Sequence, residues 1–533
     1  MPNQDDHVDI QPNLARLLAA THPKYDADEH LVWHPVYSIG YHTQLEKNQP
    51  AHPTRESANY AYALLAAGEK ERADKVLQKL CLLQDKDTKS DTCGVWPWFL
   101  EEPLTDMSPP DWNWADFIGS IFALILHNFQ DQLSPVVVKQ IKLSLIHAAD
   151  AIVHRNVQPD YTNIAIMGAG VTVAVGEIVD RSDLIDYGRR RIQKSVAHLK
   201  HHGSFSEYNS PSYTMIVVEE CERILHMVKD EDTRASASRL LEHAWEIISN
   251  HFHPSTRQWA GPHSRAYSDT ISPELQARLS VRTGYTLTDS GISVEDVLPF
   301  EYAPPIICPE HLRHRFVHLP IRKSLLSQQF VAAGPTKYKP TIGNTWFDDD
   351  ICLSSISDDS MWIQRHGIIA YIRSDRGLAV FRTRFMHDGH DFATAWLTCR
   401  QDGPCVYATI RMIGPLGDYH LSLDRPKNGF FQGGGWQIRL ELQGSGVMVN
   451  KEDRRLLAPP CSIDIQEAKG TFAGKEVLWK FKEKEGLVAM VGHVPEFDNQ
   501  GLSFNQLEST HIQIQLTANS SDSEHTKDAI DRE

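Results

Sequence analysis

The stretch 201-HHGSFSEYNSPSYT-214 interrupts a long region of helical periodicity with a polar loop, which a glycine and a proline punctuate. The loop holds one carboxylate and two phenols, those of Glu207, Tyr208 and Tyr213. Loops that gather acid–base groups on a helical scaffold often carry function, so this stretch is the first candidate site. An exposed helix–helix connection is the alternative interpretation.

Helical patterns flank this loop on both sides. They predict two helices between Ser57 and Gln84, broken at Gly68, and further helices over residues 113–127, 134–155, 164–179, 182–199, 214–229 and 233–251. The connections between the predicted helices show no strand pattern, so the helices must pack on one another. Polar, aromatic loops alternate with the helical hairpins, which favours an (α/α) toroid whose loops line a central cleft.

The pattern changes after Pro304. Short β-branched and aromatic runs with turn signals follow at a spacing of roughly 10–15 residues, among them 316-FVHLPI-321 and 418-DYHLSLD-424. Their near-alternating polarity predicts a C-terminal antiparallel β-sandwich after the helices. We therefore expect a multidomain chain, α then β, in four parts: an irregular N-terminal segment 1–30, an (α/α) toroid catalytic domain 31–303, an antiparallel β-sheet domain 304–517 and a disordered tail 518–533.

Composition limits the function classes. A chain of 533 residues with 41% hydrophobic and 23% charged residues suits two large globular domains. A net charge of -16 argues against nucleic acid as a partner, and the longest apolar runs are too short to span a membrane. The eight cysteines form no CxxC pair, and the N-terminus carries no secretory pattern, so we expect a reduced, cytoplasmic protein.

Glu207 and the following Ser210-Pro211-Ser212-Tyr213 resemble a motif of heparinase II/III-like and alginate-lyase-like polysaccharide lyases. In that superfamily a Gly-aromatic-x-Glu segment leads into Ser-Pro-x-Tyr at the start of a helix. The resemblance implies a helical toroid before an antiparallel β-sheet domain, and β-elimination at a uronic acid. It also implies that Tyr213 protonates the leaving glycosidic oxygen. Thr214 stands where many members have His, and one extra residue follows Glu207.

β-Elimination needs a group that neutralises the uronate carboxylate, a base for the adjacent proton and an acid for the leaving oxygen. Asn163, at the start of a predicted helix, resembles the family's carboxylate-contacting Asn, although an N-cap is the alternative. The second Asn or His that usually accompanies it is missing here.

The segment 260-AGPHSRAYSD-269 places His263, Arg265 and Tyr267 at alternating positions, which project to one side of an extended chain. Arg265 could form a bidentate pair with the carboxylate, and His263 could act as the base. A structural loop with a satisfied histidine is the alternative.

The segment 386-MHDGHDFA-393 resembles the His-rich segment that the β-sheet domain of these lyases sends into the cleft. The resemblance makes His390 a second candidate base and His387 a substrate contact. We expect no cofactor, and a structural metal near His387 and Asp391 is only an alternative, because the usual His-x-His-x-Asp spacing is absent.

The segment 111-DWNWADFIG-119 is similar to the Asn-Trp segment of toroidal lyases that act on hyaluronan and chondroitin. The similarity implies that Asn113 and Trp114 contact the sugar, and Trp98 offers a further stacking face. Tryptophans of a hydrophobic core would look the same. The remaining candidate substrate-binding residues are Glu207, Tyr208 and Tyr267.

The sequence therefore predicts a lyase that cleaves a uronate-containing oligosaccharide or polysaccharide, with glucuronate favoured and exo action expected. It predicts neither nucleic acid nor membrane as a partner. Two alternatives stay open. One is an (α/α)-toroid glycoside hydrolase, whose carboxylate pair would come from Asp116, Glu207 and residues 348–350. The other is a non-catalytic glycan-binding protein.

Overall fold

The structure, a computed structural model, describes residues 11–37, 42–335, 337–414, 426–497 and 500–520. Helices occupy the N-terminal half and antiparallel sheets the C-terminal half, so the predicted order α then β is confirmed. The chain forms two compact units, neither of them continuous in sequence. Unit 1 comprises the described parts of Met1–Leu199, Met215–Trp245 and Pro273–Cys308, and unit 2 those of Lys200–Thr214, Glu246–Ser272 and Pro309–Glu533. The domain boundary at residue 304 stays a prediction.

Most of the predicted helices are present within a few residues of the expected bounds. The described helices are α1 Gln11–Thr21, α2 Thr54–Ala66, α3 Lys70–Leu83, α4 Asn113–Phe129, α5 Pro135–Arg155, α6 Thr162–Ile178, α7 Ser182–His202, α8 Pro211–Met227, α9 Glu231–His251, α10 Pro273–Thr283, α11 Val294–Val297, α12 Glu310–Arg313 and α13 Phe504–Leu507. Gly68 separates α2 from α3 with φ +82°, a conformation that favours glycine. His201 and His202 end α7 rather than begin the loop. Helix α1 lies in a segment that the sequence predicted to be irregular.

Helices α4 and α6 form the centre of unit 1. Helix α6 is apolar all round, and 15 of its 17 residues are buried, as expected for a helix enclosed by others. It packs against α4 and α5. A side chain at Gly170 would come within 2.6 Å of Ile224, so glycine permits the close approach of α8. None of the described helices combines the length and hydropathy needed to cross a membrane.

Twenty-five strands lie in the described residues, most of them after residue 320. They are β1 Tyr25–Asp26, β2 Leu31–Val32, β3 His34–Pro35, β4 Pro50–Ala51, β5 Phe252–His253, β6 Gln258–Trp259, β7 Ser324–Val331, β8 Thr341–Phe347, β9 Ile351–Ile356, β10 Asp358–Ser360, β11 Ile368–Ser374, β12 Gly377–His387, β13 His390–Asp391, β14 Ala395–Asp402, β15 Cys405–Met412, β16 Phe430–Gln432, β17 Gln437–Gly444, β18 Met448–Asn450, β19 Arg455–Ala458, β20 Cys461–Phe472, β21 Lys475–Glu476, β22 Leu478–Lys484, β23 Leu487–His493, β24 Gly501–Ser503 and β25 His511–Asn519.

Two antiparallel sheets dominate unit 2. In the described chain one has nine strands in the order β22-β23-β17-β12-β11-β9-β8-β7, with β13 beside β12. The other has eight, in the order β10-β14-β15-β25-β20-β19-β18, with β21 beside β20. Both contribute to one hydrophobic core, and burial alternates along β15 and β25, as in a sandwich.

The second face of the nine-stranded sheet carries part of the segment that follows α9. Ala260 packs there with Ile369 and Tyr371 of β11, and the Thr345 hydroxyl of β8 donates to the Gly261 carbonyl at 2.7 Å. This face therefore positions residues 260–269.

One predicted strand of this half is absent, and two other predictions lie wholly or partly outside the described residues. Residues 316–321 were predicted as a strand, but a 3₁₀ turn over His314–Phe316 stands there and no strand follows before β7. The predicted strand 418–424 lies outside the described residues, as do positions 521–533 of the predicted tail.

Candidate active site

The loop 203–214 is fastened to the chain segment 259–267 by Asn209. Its amide nitrogen Nδ2 donates to the carbonyls of Ala260 at 2.9 Å and Pro262 at 3.0 Å, and Oδ1 accepts from the Trp259 indole at 2.6 Å. Asn209 has φ 43°, a left-handed conformation that asparagine tolerates better than most residues. These contacts fix the loop that leads into α8.

Tyr213, Arg265 and Tyr267 meet where α8 begins. Nη2 of Arg265 donates to the phenol oxygen of Tyr213 at 2.9 Å and to that of Tyr267 at 3.1 Å. The two phenol oxygens lie 3.0 Å apart. Three residues that the sequence singled out in two separate segments are thus joined by hydrogen bonds. Tyr267 is 62% exposed, so the cluster opens to solvent.

Several neighbours hold the guanidinium of Arg265. Nε donates to Gln364 Oε1 at 2.6 Å, and Cζ lies 4.8 Å from the Tyr213 ring centroid and 5.2 Å from that of Trp362. Burial lowers the pKa of Arg265, but Tyr213, Tyr267 and then Glu207 outweigh it, so the net shift is upward. The third nitrogen, Nη1, makes no hydrogen bond to any residue that the structure describes.

His263, the first candidate base, is buried and only 1% exposed. Nδ1 is 2.7 Å from the Asn209 carbonyl, which only accepts, so we assign the ring proton to Nδ1. Nε2 faces the buried Tyr371 hydroxyl at 3.5 Å, and burial lowers the pKa of His263 to about 4. A neutral, enclosed imidazole is poorly placed to contact substrate. The hydrogen bonds of the cluster thus join Arg265 and Tyr267, whereas His263 is enclosed.

Tyr208 and Glu207 are also buried. The Tyr208 ring stacks on Phe330 with centroids 4.7 Å apart, its hydroxyl donates to Asp359, and burial raises its pKa to about 12. These contacts favour a packing role for Tyr208 over the predicted sugar contact. Glu207 acts on the cluster through its charge, which contributes to the raised pKa of Arg265.

The His-rich turn between β12 and β13 is built differently from the expectation. His387 is buried, stacks on Trp436 at 3.9 Å and places Nε2 2.9 Å from the Gly434 carbonyl. Asp391 forms an ion pair with Arg384 at 2.7 Å, and His390 is exposed. These contacts disfavour the predicted substrate contact of His387. In the part of the chain that the structure describes, no three His, Cys, Asp or Glu side chains are arranged to hold a metal ion.

The remaining candidates lie in unit 1. Asn163 is 5% exposed near the start of α6, and its Oδ1 has no hydrogen-bond partner within the described ranges. Asn113 is held by Tyr161 and Arg155. Trp98 and Trp114 are half-buried and stacked, with centroids 4.9 Å apart.

Sequence reasoning missed the residues that support Arg265 from the sheet domain. Trp362 and Gln364 lie in the loop before β11, although the near-alternating run 361–375 predicts a strand there. Gly367 separates the run Gln-Arg-His from the apolar Ile-Ile-Ala-Tyr-Ile, and this break is the signal that could have separated loop from strand.

Comparisons with known proteins add little about activity. A family model described as a domain of unknown function (DUF8769) matches residues 30–279. The comparison with curated proteins gave no match. Among solved structures, the chain is similar to a sugar epimerase from a ruminal bacterium, with 10% identity and a TM-score of 0.36 over 58% of this chain and 96% of that one. A similarity of this size bears on neither fold nor activity.

Proposed function

We propose that the protein is a carbon–oxygen lyase that cleaves a glycosidic bond at a uronic acid by β-elimination. The observation that carries the proposal is the direct hydrogen bond from the Arg265 guanidinium to the phenol of Tyr213. A guanidinium stabilises negative charge on a phenol oxygen and binds a carboxylate, and β-elimination needs both at one place. The sequence resemblance to toroidal uronate lyases supports the same class.

The reaction has a simple electron balance. Nη1 of Arg265 pairs with the uronate carboxylate, while Nη2 stabilises Tyr213 as a phenolate. The phenolate removes the proton beside the carboxylate, and the C–H electron pair forms a double bond to the carboxylate carbon. The C–O π pair of the carboxylate moves onto oxygen, which gives an enolate. The pair then returns, the bond to the leaving glycosidic oxygen breaks, and a carbon–carbon double bond forms. Tyr213 gives its proton to the leaving oxygen.

Tyr213 thus serves as base and acid in turn. His263 is buried, so we do not assign it as a separate base. His390 lies at an exposed position of β13, and its role as a base stays a prediction. Asn163 as a second carboxylate contact stays a prediction, as do the sugar contacts of Asn113, Trp98 and Trp114.

The wider expectations belong to the same proposal. The helical unit would be an (α/α) toroid, and the ligand a uronate-containing oligosaccharide, with glucuronate favoured and cleavage from a chain end. Neither nucleic acid nor membrane is a proposed partner, no cofactor is required, and the proposed location is the cytoplasm.

The hydrolase alternative is less favoured because its carboxylates are engaged elsewhere. Asp349 pairs with Arg322 at 2.8 Å and Asp350 with Arg373 at 2.6 Å, and Asp116 is buried. A glycan-binding protein would not need the phenol–guanidinium pair.

One assay separates the three classes. The protein is incubated with oligosaccharides containing glucuronate, mannuronate or galacturonate, and ultraviolet absorbance follows the unsaturated uronate product. We expect absorbance to rise with at least one of them. New reducing ends without absorbance would indicate hydrolysis, and binding without product would indicate a glycan-binding role.

A further inference from the structure

Two histidines of unit 1 lie side by side at the ends of two helices. His127 is in the last turn of α4, and His226 is in the last turn of α8. Their ring centroids are 4.8 Å apart, and the ring planes meet at an angle of 71°. His127 is exposed and His226 is half-buried, so the pair lies at the surface of the unit. The proposed β-elimination uses neither residue.

A chain of hydrogen bonds fixes the tautomer of His226. The Tyr62 hydroxyl donates to the Tyr302 carbonyl at 2.8 Å, so its oxygen accepts from Asn128 Nδ2 at 2.7 Å. The other amide atom of Asn128, Oδ1, lies 2.9 Å from His226 Nε2 and can only accept. Nε2 of His226 therefore carries the ring proton, and Nδ1 keeps its lone pair. Histidines that bind metal ions are held in the same way, with the second ring N–H donated to a neighbouring group.

Both imidazoles are neutral near pH 7. Burial lowers the pKa of each histidine, and the charge of His127 lowers the pKa of His226 further. Lys229 also lowers the pKa of His127, whereas Glu177 acts in the opposite direction without reversing the shift. A neutral imidazole keeps a lone pair on one ring nitrogen, and this is the form that binds a metal ion.

The separation of the two rings fits a shared metal ion. A zinc–nitrogen bond is about 2.0–2.1 Å long, which places the metal ion about 3.2 Å from each ring centroid. Two such bonds that meet at about 90–110° put the centroids about 4.5–5.2 Å apart. The observed separation of 4.8 Å lies within this range.

The surroundings of the pair favour a cation. The last carbonyl groups of a helix carry partial negative charge, and α4 and α8 both end beside the pair. Helix α6 adds Glu177, whose carboxylate accepts from the backbone N–H groups of Lys229 and Asp230 just after α8. The charge of Glu177 acts on His127, where Lys229 opposes it. Two helix ends and a carboxylate thus act against the lysine charge.

We propose that His127 and His226 bind a divalent transition-metal ion of the zinc class, with water completing the coordination. Imidazole nitrogen suits zinc, nickel and copper, whereas magnesium and calcium prefer oxygen ligands. Two protein ligands are consistent with the lack of a cluster of three among the described side chains. The bound ion joins the last turns of α4 and α8 and so stabilises unit 1. The site does not depend on the proposed lyase activity.

Titration of the full chain with zinc chloride at pH 7.5, in competition with a chromophoric zinc chelator, tests the site. His127→Phe and His226→Phe keep an aromatic ring in the edge-to-face contact but remove the ligand nitrogens. We expect the zinc affinity of this site to fall at least about tenfold in either variant. Excess magnesium chloride should not displace the zinc ion. Because His127 is exposed, His127→Phe is the variant that disturbs the fold less.

His154→Phe is the matched control, at an exposed histidine in the last turn of α5, and should bind zinc like the wild type. Zinc should also raise the Tm of the wild type and of His154→Phe more than that of the other two variants, because binding to the folded state stabilises it. Equal zinc affinity in the wild type and His127→Phe, or no zinc binding by the wild type, would overturn the proposal.

Discussion

The hydrogen bond between Arg265 and Tyr213 depends on the phenol hydroxyl of Tyr213. Tyr213→Phe keeps the ring and removes the proton-transfer group, so we expect turnover of a uronate oligosaccharide to fall by about 10² or more, with a much smaller change in KM. Steady-state rates of unsaturated product formation measure the effect. Tyr267→Phe removes the neighbouring hydroxyl and serves as the control, for which a smaller loss is expected. Undiminished turnover of Tyr213→Phe would reject the assignment of Tyr213.

The buried carboxyl group of Asp116 makes the stability of unit 1 depend on pH. Burial raises its pKa to about 7, with Arg191 and Arg155 acting against that shift. The native state therefore holds a proton that the unfolded chain releases above pH of about 4. This stabilisation is complete below that pH and is lost as pH rises through about 7, by roughly 4 kcal/mol at most.

Asp116→Asn removes this titration. We expect the free energy of unfolding of the variant, relative to that of the wild type, to rise between pH 5 and pH 8. Denaturant unfolding at the two pH values measures the difference. Identical pH dependence of both proteins would contradict the raised pKa.

At the scale of elements, the loop before α8 depends on Asn209. Asn209→Gly keeps the left-handed backbone but loses three buried hydrogen bonds, for which we expect a loss of about 2–4 kcal/mol in unfolding free energy. Asn209→Ala adds the strain of a left-handed alanine, about 1 kcal/mol more. Chemical denaturation measures both values.

Asn156→Gly is the control for this comparison. Asn156 also has a positive φ, at the C-terminal end of α5, but its side chain accepts from Tyr187 at the protein surface. We expect a loss below about 1 kcal/mol there. Equal losses at both positions would mean that the buried contacts of Asn209 do not hold the loop.

At the scale of the whole molecule, the two units should respond to pH in opposite directions. Burial lowers the pKa of His251, His253 and His263 to about 4, and all three lie in unit 2. The unfolded chain protonates these histidines below pH of about 6.5. Their contribution to stability is therefore present above that pH and is lost as pH falls towards 4. Asp116 has the opposite effect in unit 1.

Hydrogen exchange followed by mass spectrometry can observe each unit separately. After correction for intrinsic exchange rates, we expect peptides of unit 2 to lose protection between pH 7 and pH 5, while those of unit 1 keep or gain it. A loss of protection of similar size in both units would contradict the opposed titrations.

The sequence by itself determined most of the helices and the order of helices before sheets. Helix and strand periods are local properties, because every third or fourth residue, or every second, must face a core. The patterns thus located α2 to α9 and about half of the strands of the two sheets, but they missed β7 to β9 and β20. The resemblance to polysaccharide lyases singled out Tyr213, and the alternation within residues 263–267 singled out Arg265 and Tyr267.

Only the tertiary structure decided which of these residues meet. Residues 200–214 and 246–272 lie within the helical stretch of the sequence, yet they belong to the unit that contains the sheets. The loop before β11 supplies Gln364 and Trp362, which contact Arg265. Strand β11 supplies Tyr371, which contacts the buried His263. These outcomes depend on contacts between residues about 100 positions apart, which local spacing does not encode.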